Sequence, residues 1–115
     1  DFDFGSKKVS SDDLEKIETE MKNLVKDWKA FEKIEVDSKQ ARKFFAKNAY
    51  KIELIDEFTN NDQALTLYKS GQFTDLCRGG HIDYPSKNIK HFKLLSIAGA
   101  YWRGEEEKKK LAMVF

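Results

Sequence analysis

The chain has 115 residues, of which 40% are hydrophobic and 36% charged, and its formal net charge is +1. This length suits one domain with its own core, whereas the near-neutral charge gives no overall attraction to nucleic acid. The single cysteine excludes an internal disulfide and fits a reducing compartment. No apolar run approaches the roughly 20 residues that a membrane span needs, and we expect no signal peptide.

The first elements along the chain are a strand end and a long helix. Apolar and acidic residues alternate over residues 1–4, which indicates a strand of a larger protein from which this chain is a piece. After a polar connector, apolar residues recur every three or four positions and predict an amphipathic helix at about 12–29. Ser10, Ser11 and Asp12 are candidate caps for this helix, and Asp12 with Glu15 resembles a capping box.

The middle of the chain alternates strand and helix patterns. Residues 31–37 alternate apolar and charged side chains and predict a strand. Ser38 is expected to cap a short helix at about 39–47. Residues 52–58 fit a helix or a strand equally well. The side chains expected to be buried by the short helix are Ala41, Phe44 and Phe45.

Short strands dominate the rest of the sequence. Residues 65–68 predict a strand that ends at a Ser70-Gly71 turn, and residues 73–77 predict the next, which Arg78-Gly79-Gly80 ends. The remaining predictions are a loop at 83–88, a strand at 92–102 with a bulge or close backbone approach at Gly99, a charged turn at 105–110 and a last strand at 111–115. Together they predict one α+β domain over 1–115, with helices on one face of a mainly antiparallel sheet.

The segment Asp75-Leu76-Cys77-Arg78-Gly79-Gly80-His81 carries the strongest chemical signal. It places the only cysteine four residues before one of two histidines, across a glycine turn. A thiol and an imidazole so placed can hold a metal, position a water or form a nucleophile pair. The structural alternative is a cysteine that acts as a small buried hydrophobe. Two ligands also fall short of the three that a catalytic zinc needs.

A second motif favours a functional pair by resemblance. Residues 96–104 read Ser-Ile-Ala-Gly-Ala-Tyr-Trp-Arg-Gly. Together with residues 75–81, this run resembles the editing domain of threonyl-tRNA synthetases, also called the second additional domain. Residues 1–3 and 50–55 are similar to the same domain, so the resemblance covers nearly the whole chain in order.

The resemblance implies hydrolysis of serine wrongly esterified to the 3′ end of threonine tRNA. Cys77 and His81 would be two of four pocket residues, and the others belong to a His-x3-His segment expected before Asp1. Asp75 would lie near the amino group or the water, and Lys51 would stabilise the oxyanion or contact the tRNA. The structural alternatives are a strand-end Asp75 that binds local amides and a solvated Lys51.

The zinc alternative comes from a related protein family. In alanyl-type editing proteins the same four positions bind zinc, whereas the threonyl type is thought to position water without metal. With half the set outside this chain we expect no stable metal site; a bound zinc would use Cys77 and His81. His91 matches no ligand position of the family.

Two other functions stay open. One is an alanyl-type, zinc-dependent trans-editing protein. The other is a non-catalytic tRNA-positioning module with a decayed site. Gly80 motivates the second, because it replaces the family's usual proline and frees the turn between the thiol and the imidazole.

Three further side chains are candidates for tRNA contact: Arg78, Tyr101 and Arg103. Arginine forks bind phosphate, and aromatic rings stack on bases. The structural alternatives are an Arg78 that braces the turn, an Arg103 in an internal ion pair and packing of the adjacent Trp102 in the core.

The resemblance also implies that this chain is one part of a larger synthetase. The parent synthetase would supply ATP-dependent aminoacylation, with ATP, Mg and a catalytic-domain Zn bound only there and no cofactor in this fragment. The expected partners are serine-charged tRNA(Thr) and the remaining domains of a homodimeric, cytoplasmic parent, with no membrane. We expect the isolated fragment to be weakly active or inactive, because a water held by four groups is poorly placed by two.

Overall fold

The computed structural model describes residues 1–60, 64–106 and 109–115. These residues form two compact units. We call Asp1–Val25 with Ile89–Phe115 the terminal unit, and Lys26–Asn88 the central unit. The described helices are α1 (Leu14–Val25), α2 (Ser38–Phe44), α3 (Ala49–Asn60) and α4 (Pro85–Asn88). The described strands are β1 (Glu32–Val36), β2 (Leu65–Ser70), β3 (Phe73–Leu76), β4 (Ile97–Tyr101) and β5 (Lys110–Val114).

The predicted α+β class is confirmed. In the described residues, the strands form an antiparallel sheet of order β1-β2-β3 in the central unit and an antiparallel β4-β5 pair in the terminal unit. Across the described ranges, no helix has both the length and the apolar character that crossing a membrane requires.

Helix α1 of the terminal unit is shorter than its apolar pattern predicts. A 3₁₀ turn precedes it. Ser10, one of the three candidate caps, is confirmed and forms its capping box with Asp13, so the predicted box of Asp12 and Glu15 is wrong. The Ser10 hydroxyl accepts from the Asp12 amide at 3.3 Å, and the Ser10 amide donates to Asp13 Oδ2 at 2.9 Å. The helix ends at Val25 rather than near residue 29, because Trp28 packs its ring within the central unit, 5.9 Å from that of Phe31.

A buried carboxylate joins α1 to the segment before β4. Glu18 is only 6% exposed. Its carboxylate binds Lys22 Nζ at 2.5 Å, the Leu94 amide at 2.8 Å and Lys93 Nζ at 3.4 Å. The hydrogen bond from Lys22, followed by that from the Leu94 amide, lowers the pKa of Glu18 from 4.5 to about 2. The carboxylate therefore stays ionised in the interior of this unit.

The second sheet is regular. Gly99 pairs with Ala112 in an unbroken register, and a Cβ at Gly99 would meet no atom within 4 Å, so the predicted bulge or close approach is wrong. Phe2 bridges to Ala112, which extends the pairing beyond β5. The strand predicted at 92–102 is formed only from Ile97, because the Leu94 amide donates to Glu18 instead of a strand. The predicted last strand is confirmed as β5, and residues 107 and 108 of the predicted charged turn lie outside the described residues.

The apolar core of the central unit lies between its sheet and its helices. Ile34 pairs with Leu67, and Leu67 pairs with Leu76, so these three side chains share one face of the sheet. Helices α2 and α3 pack there, and the buried cluster is Ala41, Phe45, Ile55, Leu65 and Leu67. The ambiguous segment 52–58 is helical, because the Asn48 side chain accepts from the Lys51 amide at 3.1 Å and starts α3.

Local contacts correct three predictions in this unit. Asp37, not Ser38, caps α2 through a capping box with Gln40. Phe44 is 56% exposed and lies edge-on to Phe45, 4.8 Å away, since a helix of this length buries only one side. The predicted loop at 83–88 contains a single helical turn, closed by amides of residues 87 and 88 that donate to the Tyr84 carbonyl. The predicted strands β1, β2 and β3 are confirmed.

Candidate functional site

The four predicted catalytic residues lie in the central unit, and two of them touch. Lys51 is on the first turn of α3 and Asp75 is on β3, 24 positions later. The Lys51 ammonium lies 2.8 Å from Asp75 Oδ1 and 2.9 Å from Oδ2. Their side chains are 24% and 35% exposed, so the pair is half-buried and still open to a ligand. Asp75 Oδ1 also accepts from the Leu76 amide at 2.8 Å, which fixes the carboxylate further.

Cys77 lies directly after β3 and is held by its backbone. Its amide donates to the Thr66 carbonyl at 3.1 Å, and its carbonyl accepts from the Thr66 hydroxyl. Its Sγ accepts from the Gly79 amide at 3.4 Å. The thiol is half-buried. The turn therefore orients this group through its own backbone amide.

A cavity of about 180 Å³ lies beside Cys77. Its lining is mostly apolar and includes Leu54 and Phe58 of α3, together with the side of the sheet that carries Leu65 and Leu76. The Arg78 guanidinium also lines it and lies 5.1 Å from the centre of the Phe58 ring. This cavity combines a thiol, a cation and apolar walls within one unit.

The turn between Cys77 and His81 depends on its two glycines. Gly79 has φ +114° and Gly80 has φ +81°. A Cβ at Gly79 would lie 2.5 Å from the hydroxyl oxygen of Tyr68, whereas one at Gly80 would meet nothing within 4 Å. Proline holds φ near −65° and cannot adopt the value at Gly80, so this turn differs from one with a proline there.

His81 is exposed but lies against two aromatic rings. The centres of the His81 and Phe31 rings are 4.3 Å apart with an angle of 26° between the planes. The Tyr68 ring is also 4.3 Å away, at an angle of 56°. These side chains line a cavity of about 320 Å³ with Tyr84 and Asp83. Two aromatic rings therefore pack against an imidazole that is otherwise exposed.

The other candidates lie in the terminal unit. The Lys110 ammonium is 5.9 Å from the centre of the Tyr101 ring, and the Arg103 guanidinium is 5.7 Å from that of Trp102. Arg103 has φ +57°. His91 is exposed. Within the described ranges, no three His, Cys, Asp or Glu side chains cluster as metal ligands.

The sequence did not indicate Tyr68, Phe31 or Thr66 as parts of this site. Each contacts a predicted site residue: the two rings contact His81, and Thr66 binds Cys77. Strand register was the one usable signal, because an antiparallel β2–β3 hairpin places Tyr68 opposite Asp75.

Comparison with known proteins gives one consistent result. No protein-family model matches the chain. It is 46% identical over 116 residues to the threonine–tRNA ligase of Thermotoga petrophila and 49% identical over 115 residues to that of Staphylococcus epidermidis, in each case over 100% of this chain. The enzyme of Lactococcus lactis is 44% identical over 116 residues. The chain spans only 17% to 18% of the length of these curated relatives. Over its full length this chain is thus related to one segment of the threonine–tRNA ligases, as its two motifs predicted.

Proposed function

We propose that this chain is the editing domain of a threonine–tRNA ligase and hydrolyses the ester of serine on tRNA(Thr). The observation that carries the proposal is the Lys51–Asp75 ion pair. It joins a cation and a carboxylate from elements far apart in sequence, and the carboxylate lies two positions before the cysteine that the family resemblance marks as catalytic. The chain-long relationship to threonine–tRNA ligases supports the same conclusion.

The charges suit an ester whose carbonyl becomes an oxyanion in the transition state. The Lys51 side chain is only 24% exposed, so its charge interacts more strongly with that oxyanion than the charge of a fully exposed lysine would. Asp75 is a suitable acceptor for the α-ammonium of the bound serine. When the substrate takes up part of that carboxylate, the Lys51 charge becomes available to the reacting carbonyl.

Cys77 and His81 act on the water in this proposal. Water attacks the ester carbon while His81 accepts its proton, and the C–O bond to the tRNA ribose then breaks. The proton passes to the departing ribose oxygen, which leaves free serine and intact tRNA. Cys77 orients the water, since the Gly79 amide already directs its sulfur. No step uses a metal.

The remaining predictions for the whole protein belong to this proposal. The parent joins threonine to tRNA(Thr) with ATP through domains outside this chain, and acts in the cytoplasm as a homodimer. Arg78, Tyr101 and Arg103 are proposed tRNA contacts.

The test compares two reactions of the full-length synthetase that carries this segment. Lys51→Met should lower Ser-tRNA(Thr) deacylation about 10²- to 10³-fold, as the loss of one oxyanion donor does elsewhere. Threonine-dependent ATP–pyrophosphate exchange should stay within about twofold, since that reaction does not use the oxyanion donor. Lys47→Met removes an exposed lysine that precedes α3 and is the matched control.

Other outcomes would contradict the proposal. Equal loss of deacylation and exchange in Lys51→Met would assign the lysine a structural role. Full deacylation by this variant would show that the ion pair is not part of a hydrolytic site. His81→Ala provides a second measurement that does not disturb the ion pair.

A further inference from the structure

The structure assigns Tyr68 a role that its sequence pattern does not suggest. We propose that Tyr68 is a positioning residue for His81, with its ring holding the imidazole and the 77–81 turn in place. This proposal rests on the editing function above. It concerns a residue of β2 that is neither part of the 75–81 motif nor adjacent to it in sequence.

Tyr68 meets three parts of the candidate site at once. It is the cross-strand partner of Asp75 in the β2–β3 register. Its ring centre lies 4.3 Å from that of His81. Its hydroxyl oxygen lies over Gly79, so close that a Cβ there would come within 2.5 Å. One side chain thus contacts the strand, the turn and the imidazole that the turn presents.

The imidazole needs such support because it is exposed. His81 follows two glycines with positive φ, a segment that is free to change conformation when nothing packs on it. Phe31 lies nearly parallel to the His81 ring, and Tyr68 lies at 56° to it. Together they confine the ring, and a general base displaced by about 1 Å loses on the order of a hundredfold in rate.

The ring of Tyr68 and its hydroxyl have separate parts in this arrangement. The ring supplies the contact with His81, while the hydroxyl fills the space that a Cβ at Gly79 would occupy. Tyr68→Phe keeps the ring and should preserve the position of His81. Tyr68→Leu keeps an apolar side chain for the strand but removes the aromatic contact.

The experiment uses both variants, with Phe44→Leu as a matched loss of an exposed aromatic ring on α2. The first measurement is the set of NOEs between the His81 imidazole and the Phe31 ring in the 115-residue chain, since loss of the Tyr68 ring alone would shift the His81 signals. His91, the other of its two histidines, serves as internal reference. The second is kcat and KM for Ser-tRNA(Thr) deacylation by the full-length synthetase.

Tyr68→Leu should weaken the NOEs between His81 and Phe31, leave the His91 signals in place and lower kcat on the order of 10- to 100-fold, with KM within about twofold. Tyr68→Phe and Phe44→Leu should behave as wild type. Unchanged NOEs in Tyr68→Leu, or an unchanged kcat, would overturn the proposal, as would a Tyr68→Phe variant as impaired as Tyr68→Leu. If the wild-type synthetase shows no His81-dependent deacylation, the proposed function is wrong, while the NOEs still decide whether Tyr68 holds His81.

Discussion

The two units of this chain use different chemistry in their interiors. In the central unit the buried cluster is apolar and is shared by a sheet and two helices. Among the described residues of the terminal unit, the buried side chains are Leu14, Glu18 and Leu111. One of these three is an ionised carboxylate that accepts from two lysines and a backbone amide. Apolar burial therefore organises one unit, and a paired charge helps to organise the other.

This difference implies different sensitivities. Apolar packing is indifferent to pH but loses stability whenever a methyl group is removed and leaves a cavity. A buried carboxylate depends on its ionisation, and its partners determine the pH at which the contribution disappears. The interior of a unit also determines where a polar site can lie. In the central unit, the packed apolar layer fixes α3 against β2, and so helps to position Lys51 for Asp75.

The largest loss of stability is expected from a substitution in the apolar core of the central unit. Ile55→Ala removes a side chain that is 0% exposed and should destabilise the central unit by about 2–5 kcal/mol. Chemical denaturation followed by the fluorescence of Trp28, in a variant that lacks Trp102, measures the change. Ile82→Ala, at a position 46% exposed, is the control and should cost far less. Equal effects at the two positions would contradict a stability based on the buried cluster.

A smaller loss of stability is expected from substitutions in the glycine turn of the candidate site, where Tyr68 packs on Gly79. Gly79→Ala should cost about 1–3 kcal/mol for its positive φ, and more because Tyr68 must move away from the new Cβ. Gly80→Ala has open space around it and should cost only the backbone strain. Denaturation midpoints of both variants test this order. If Gly80→Ala is the more damaging, the contact between Tyr68 and the turn does not constrain the turn.

The smallest change in stability at neutral pH is expected at Glu18. Its dependence on pH should distinguish the terminal unit from the central unit. Its folded pKa of about 2 is below the ordinary 4.5, so its contribution is complete above pH 4.5 and lost as the pH falls toward 2. Acid should therefore perturb Trp102 of the terminal unit before Trp28 of the central unit. Single-tryptophan variants followed by fluorescence across this range report each unit separately, because the chain has two tryptophans, one per unit.

A matched pair of substitutions tests the cause. Glu18→Gln should remove most of the acid dependence of the Trp102 signal. Glu15→Gln, at an exposed position on the same helix, should leave it unchanged. Simultaneous acid transitions at both tryptophans, unaffected by Glu18→Gln, would show that this carboxylate does not distinguish the units.

Local sequence patterns predicted much of the fold, and the helix caps and turns that were predicted wrongly also have local causes. The alternation at 31–37 predicted β1, and the three- and four-residue spacing predicted α1. Ser10 was one of the predicted caps, but the predicted box at Asp12 lies two residues late and the predicted cap at Ser38 one residue late, because adjacent Ser and Asp side chains compete for the same free amides. The segment at 83–88 was predicted as a loop although it contains a helical turn. Hydrogen bonds to the Tyr84 carbonyl close this turn, and hydrophobic periodicity does not reveal the positive φ of Tyr84.

The sequence by itself determined the element types, the α+β class and the relationship to threonine–tRNA ligases, because periodicity and motif spacing are written along the chain. It also placed Cys77 and His81 on either side of a glycine turn. Only the tertiary structure decided that Lys51 binds Asp75, that Tyr68 and Phe31 enclose His81, and that Glu18 reaches Leu94 across 76 positions. These neighbours follow from strand register and helix packing, which no short stretch of sequence specifies alone.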